Sequence, residues 1–151
     1  MSENFDSIDR EILETLQDDA RTALRKIAEK TGVSESTIFS RVKKLQEKGI
    51  IKRFTTLVSS ELLRKSLTAF ILINTDPKSL RNVLASLQGM EDVYEAYDIT
   101  GPFYAIAKIR AGSREELAKL IDQIGLIDGV TSTETAIVLR CIKEETRIKI
   151  S

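Results

Sequence analysis

Histidine is absent from the 151 residues, and with it go the commonest general base, the commonest metal ligand and every Ser-His or Cys-His nucleophile pair. An enzyme built on this chain would have to work with carboxylates or lysines alone. Glycine is sparse: the seven glycines stand at element boundaries, none in the GxxxxGK or GxGxxG spacing that cradles phosphate. Cysteine occurs once, as Cys141 in the apolar run IVLRCI. An intramolecular disulfide is therefore excluded, and the setting predicts a buried core thiol in a reducing cytoplasm. There is no apolar leader pattern at the start and no run of about 18 apolar residues, so nothing addresses the chain to export or to a membrane. These absences predict a cytoplasmic protein that is not an enzyme and uses no metal or cofactor.

What is present suits a globular regulator. Apolar residues make up 42% and charged residues 30%, with a net charge of zero, enough for one or two compact cores. The charge is unevenly placed. From Thr37 to Arg53 six basic residues face one acid, Glu47, a local net charge of +5.

That basic stretch overlaps two short amphipathic patterns separated by a glycine. The first, opened by Thr22 as cap, puts Leu24, Ile27 and Ala28 on one face and ends at Gly32, where a left-handed backbone stops a helix. The second is capped by Ser34, carries the apolar stripe Ile38, Val42 and Leu45, and ends at Gly49. A turn of three or four residues between such helices is the geometry of the helix-turn-helix, whose second helix enters the DNA major groove. Opposite the stripe, at about 100° per residue, lie Ser36, Ser40 and Lys43, flanked by Thr37, Arg41, Lys44 and Lys48. Ser34, Ser36, Thr37, Ser40, Arg41, Lys43 and Lys44 are thus the candidate DNA contacts: small hydroxyls for base edges, long cations for phosphates. The plainer alternative is a solvated charged face.

The rest of the chain divides readily. FDSIDREILETLQDDAR supplies a helix ahead of the pair, capped by Asp6, with Ile8, Ile12, Leu13 and Leu16 inward. IIKRFTTLV reads as a strand or wing, and SSELLRKS as a connector. From Leu67 the order is strand (LTAFILINT), helix opened by Pro77 (Leu80, Val83, Leu84 and Leu87 inward), strand (VYEAYDI), strand (FYAIAKIRA), helix capped by Ser113, and strand (VTSTETAIVLRCI). This is the ferredoxin-like βαββαβ unit. The expected architecture is α+β: a winged helix-turn-helix domain over residues 1–52, a strand or linker over 53–66, and a ferredoxin-like effector-binding and oligomerisation domain over 67–151. Two helices cover one sheet face, yet LTAFILI is apolar at nearly every position, so the second face needs a cover. A symmetric dimer is the simplest one and would pair two DNA readers.

In TSTET alternation sends Thr131, Thr133 and Thr135 to one face and Ser132 and Glu134 to the other. The hydroxyls are either β-formers or a binding strip.

Taken together, FDSIDREILETLQDDAR, TGVSESTIFSRVKKLQEKGIIK, and ITG followed by TSTETAIVL resemble the Lrp/AsnC, or feast/famine, family of transcription regulators over essentially the whole chain. Phe5 stands where the family's opening usually has leucine. The resemblance implies dimers through the ferredoxin-like domains, their assembly into tetramers or octamers, and a free amino acid held at contacts between dimers. Carried over by position, it assigns the effector to Tyr97, Asp98, Thr100, Gly101, Phe103, Thr131 and Thr133. The family's turn usually continues as Gly, two residues, Asp; this chain has Gly101, Pro102, Phe103 and Tyr104. The effector's amine must then meet another acid or backbone carbonyls, unless the response is lost. Asp98 and Glu134 lie near the implied pocket and point to a polar or cationic effector such as lysine, arginine or glutamine. The alternatives to a sequence-specific, effector-tuned regulator are an architectural protein coating DNA with little preference, and an enzyme on the ferredoxin-like half.

Overall fold

The computed structural model describes residues 5–150; residues 1–4 and 151 of the expected outer domains lie outside them. The chain forms two compact units, one comprising the chain up to Leu57 with the return from Lys143, the other Val58–Ile142.

The first unit is built on three helices, α1 (Ser7–Asp18), α2 (Leu24–Thr31) and α3 (Glu35–Glu47). Asp6 caps α1 by accepting from the Asp9 amide at 2.8 Å, and Ser34 caps α3 by accepting from Thr37 N–H at 3.2 Å. Gly32 closes α2 in the left-handed region at φ 73°, a conformation glycine adopts without Cβ strain. Ile12, Leu13, Ile27, Ala28, Ile38, Val42 and Leu45 form the core, with Ile8, Leu16 and Leu24 packed against it. Thr22 is not the cap of α2: Ala23 holds that position with no side-chain bond, and the Thr22 amide is spent in a turn on the Asp19 carbonyl at 3.0 Å.

The second unit is a four-stranded antiparallel sheet in the order β2-β3-β1-β4, with β1 Leu67–Thr75, β2 Val93–Asp98, β3 Ala105–Ala111 and β4 Val130–Ile137. The helices α4 (Leu80–Gln88) and α5 (Arg114–Gly125) supply the connections. This is the expected βαββαβ topology. Ala69, Ile71 and Ile73 of β1 and Ala105, Ala107, Ile109 and Ala111 of β3 are buried beneath Val83, Leu87, Leu117, Leu120 and Ile124. Alternation turns Phe70, Leu72 and Ile106 to the opposite face, where they are half-buried. Ser113 caps α5 through the Glu116 amide. Pro77 lies in the turn before α4, which begins only at Leu80 with Ser79 at its cap.

Four expectations are corrected here. The run from Ile50 to Val58 joins no ladder among the described residues; β-branched residues favour a strand only when a partner strand is at hand. The last strand stops at Ile137. Cys141 is exposed, so the core-thiol reading fails. The residues from Lys143 join the helical unit rather than the ferredoxin-like one. There the Gln17 amide brackets one residue, donating to the Ile148 carbonyl at 3.0 Å and accepting from its N–H at 2.7 Å, while Arg147 pairs with Asp18 at 2.7 Å.

The end of the connector is fixed to the second unit. Lys65 Nζ donates to Asp92 at 2.9 Å and to Glu116, and those two carboxylates raise its pKa. Glu116 also accepts from the Gly112 amide at 2.6 Å.

Candidate nucleic-acid interface and effector site

The outward side of α3 begins with a cluster of hydroxyls. Ser34 and Ser36 hydrogen-bond each other at 2.9 Å, and Ser34 and Thr37 at 2.7 Å. Ser34 is therefore occupied with capping, whereas Ser36 and Ser40 are exposed one turn apart. Lys43 and Lys44 are exposed farther along, Lys43 opposite Glu47 at 3.8 Å.

Arg41 sits differently. Its Nη1 donates to Asp6 at 2.6 Å and to Asp9 at 2.9 Å, and the two carboxylates raise its pKa. Asp6 is held below the ordinary carboxylate range, first by the Asp9 amide and then by this guanidinium. Arg41 is thus a strut between α1 and α3, a role that helix angle alone does not reveal. Phe39 was missed by reading polar residues only: it is 60% exposed and shares the outward face with Ser36, Ser40 and Lys43 at i, i+3, i+4 and i+7 spacing.

The residues expected at the effector site gather at one end of the sheet. The turn Ile99–Tyr104 is closed by the Ile99 amide on the Tyr104 carbonyl, and anchored by the Tyr104 amide on the Ile73 carbonyl, both at 3.0 Å. On its other side Ile73 is registered with Thr133 of β4. The C-terminal end of β1 therefore lies between the TG turn and the TSTET start. Thr100, Gly101 and Thr131 are exposed, and Phe103 and Thr133 half-buried. Gly101 has φ 121° with nothing within 4 Å of an added Cβ, so its backbone conformation, not crowding, calls for glycine. The Tyr97 hydroxyl donates to Glu95 at 3.0 Å, a bond to a carboxylate that raises its pKa.

Asp98 and Glu134 are not brought together within one chain. Asp98 is registered with Ala105 on the helix side of edge strand β2, Glu134 with Leu72 on the open face of edge strand β4. Three strand spacings separate those edges, about 14 Å. A two-carboxylate clamp from a single protomer is ruled out by this register.

Among the described residues no cluster of three or more His, Cys, Asp or Glu side chains is placed to hold a metal, and no helix is long and apolar enough to cross a membrane.

Two family models match the two halves: a winged helix-turn-helix DNA-binding model over residues 5–52 and the Lrp/AsnC ligand binding domain over 68–148. The HTH-type transcriptional regulator FL11 of Pyrococcus abyssi is 43% identical over 150 residues, covering 99% of both chains. Among solved structures, E. coli AsnC superposes with a TM-score of 0.90 at 38% identity, covering 95% of this chain and 98% of that one. The feast or famine regulatory protein of M. tuberculosis, solved in complex with L-methionine, reaches 0.89 at 27% identity over 96% of this chain and 99% of its own. The chain is a transcriptional regulator, not an enzyme, with a helix-turn-helix and a ligand-binding domain, and it belongs to the Lrp/AsnC family.

Proposed function

We propose that this regulator binds duplex DNA sequence-specifically as a symmetric homodimer, which assembles further to a tetramer or octamer, and that a free amino acid tunes its assembly or DNA affinity. One observation carries the DNA reading: a firmly capped α3 presents Ser36, Ser40 and Lys43 opposite its buried stripe, with Lys44 on the flank. Serines near the start of the helix fit base edges, and the lysines beyond them fit phosphates.

The homodimer rests on the open sheet face. Phe70, Leu72 and Ile106 point away from α4 and α5, and covering them with the same face of a second copy removes apolar area from water on both sides. The effector reading rests on the clustering of the TG turn and TSTET at one sheet end, and on the L-methionine bound by the M. tuberculosis relative. As the resemblance to the family implies, the pocket is completed by a neighbouring dimer. Tyr97, Asp98, Thr100, Gly101, Phe103, Thr131, Thr133 and Glu134 remain its candidate lining, with lysine, arginine or glutamine as candidate effectors through one carboxylate rather than two. The protein works in the cytoplasm, where its DNA is.

Selection from a random duplex library by the full chain tests the reader. Ser36→Ala or Ser40→Ala should change the sequences recovered; an unchanged consensus from both variants would remove α3 from base reading. Thermal denaturation with each of the twenty amino acids tests the effector, since selective binding to the native state must raise the midpoint. No shift from any of them would overturn the effector half of the proposal.

A further inference from the structure

Phe39 is the one large apolar side chain on the outward face of α3, and the fold gives it nothing to cover. The stripe residues Ile38, Val42 and Leu45 of the same helix are buried, while Phe39 remains 60% exposed. It falls on one helical face with Ser36, Ser40 and Lys43, three, one and four positions away. Spacings of three and four place side chains next to one another on a helix surface. A phenyl ring set between the Ser36 hydroxyl and the Lys43 ammonium group is poorly matched to water. It is well matched to a surface that offers both phosphate and apolar patches. The major groove is such a surface, because each thymine exposes a C5-methyl beside its hydrogen-bonding edge.

We propose that Phe39 is a specificity-determining residue that reads thymine through apolar contact with its 5-methyl group, while Ser36, Ser40 and Lys43 hold the same helix face against neighbouring base edges and phosphates. This rests on the reading of α3 as the DNA reader. The contact is orientation-specific: a methyl present at a T·A pair, displaced to the other strand at A·T and absent from both G·C orientations gives discrimination without a hydrogen bond. Since the ring is uncharged, it contributes nothing to counterion release, which leaves its effect separable from that of the lysines.

The test uses the full chain and the duplex it recovers from a random library, with each thymine of the half-site replaced in turn by deoxyuridine, which removes only the methyl. Wild type should lose about fourfold in affinity at one or two positions, the equivalent of one methyl-sized group returned to water. F39A should bind more weakly overall and be indifferent to deoxyuridine at those positions, with an unchanged salt slope; F39L should fall between. An exposed site makes loss of fold an easily checked event, and circular dichroism with an unchanged melting midpoint excludes it. Wild type insensitive to every deoxyuridine, or F39A retaining the wild-type pattern, would overturn the assignment to Phe39 while leaving α3 as the reader. Failure of wild type to select any duplex would overturn both.

Discussion

Asp9 and Arg41 lie 32 residues apart in the chain and 2.9 Å apart in space, where the carboxylate of α1 accepts from the same guanidinium nitrogen that reaches Asp6 at 2.6 Å. The pairing ties the N-terminus of the first helix to the middle of the third. It also means that the reader helix carries one cation held by two carboxylates of the first helix, while Lys43, beside Glu47 at 3.8 Å, and Lys44 are exposed.

Arg41→Ala and Lys44→Ala should therefore behave differently. Lys44→Ala should lower the slope of log affinity against log salt by about one unit, equally for all sequences, with the melting midpoint unchanged. Arg41→Ala should cost up to about 1 kcal/mol of stability, since the pair is partly exposed, and change the slope by less than one unit. Equal slopes for wild type and Lys44→Ala, measured by titration at four salt concentrations, would take Lys44 out of the interface.

Asp6 makes this end of the molecule acid-sensitive. Its carboxyl is lowered in the folded protein by the Asp9 amide and Arg41. The stabilisation is fully present above the unfolded value near 3.8 and is lost as pH falls through the lower folded value. Asp6→Ala should cost about 1 kcal/mol at pH 7 through the lost cap, and the gap to wild type should narrow below about pH 4. Urea unfolding at pH 7 and pH 3 checks this; a gap that is constant with pH would contradict it.

The two faces of β1 separate the core from the proposed dimer contact. Ile71 is fully buried against the helices, so Ile71→Asp should unfold the chain by placing an unpaired charge in the core. Leu72, its neighbour on the open face, should as Leu72→Asp give a folded monomer in sedimentation with native circular dichroism. A dimeric Leu72→Asp protein would place the dimer contact elsewhere.

Gly112 closes the join between connector and sheet. An added Cβ would stand 2.4 Å from the Arg64 carbonyl oxygen, a backbone atom that cannot swing aside. Gly112→Ala should lose about 1–3 kcal/mol, and the Lys65 contacts with Asp92 and Glu116 should loosen with it. Unchanged urea stability would show that the connector yields freely.

Features governed by neighbours in sequence were legible before the structure. The caps Asp6, Ser34 and Ser113, the stripe Ile38, Val42 and Leu45, and the six elements of the ferredoxin-like unit follow from local hydrogen bonding and periodicity. Strand alternation already set Asp98 and Glu134 against sharing one site, and the register of the edge strands adds the distance between them. The unpaired run Ile50–Val58, the tail pairing of Ile148 with Gln17 and the exposure of Cys141 were missed because each depends on long-range partners. Arg41 illustrates the same limit at the site, since its angle on α3 is consistent with phosphate or with Asp6 and Asp9.

The ratio of affinities for a selected duplex and a scrambled one, measured with the full chain at a single physiological salt concentration, bears most directly on the claim that α3 reads sequence. A ratio of about 10³ or more, falling on substitution of Ser36 or Ser40, is the predicted result. A ratio near one, with strong salt-dependent binding to both duplexes, would contradict it and identify a protein that coats DNA through Lys43 and Lys44 alone.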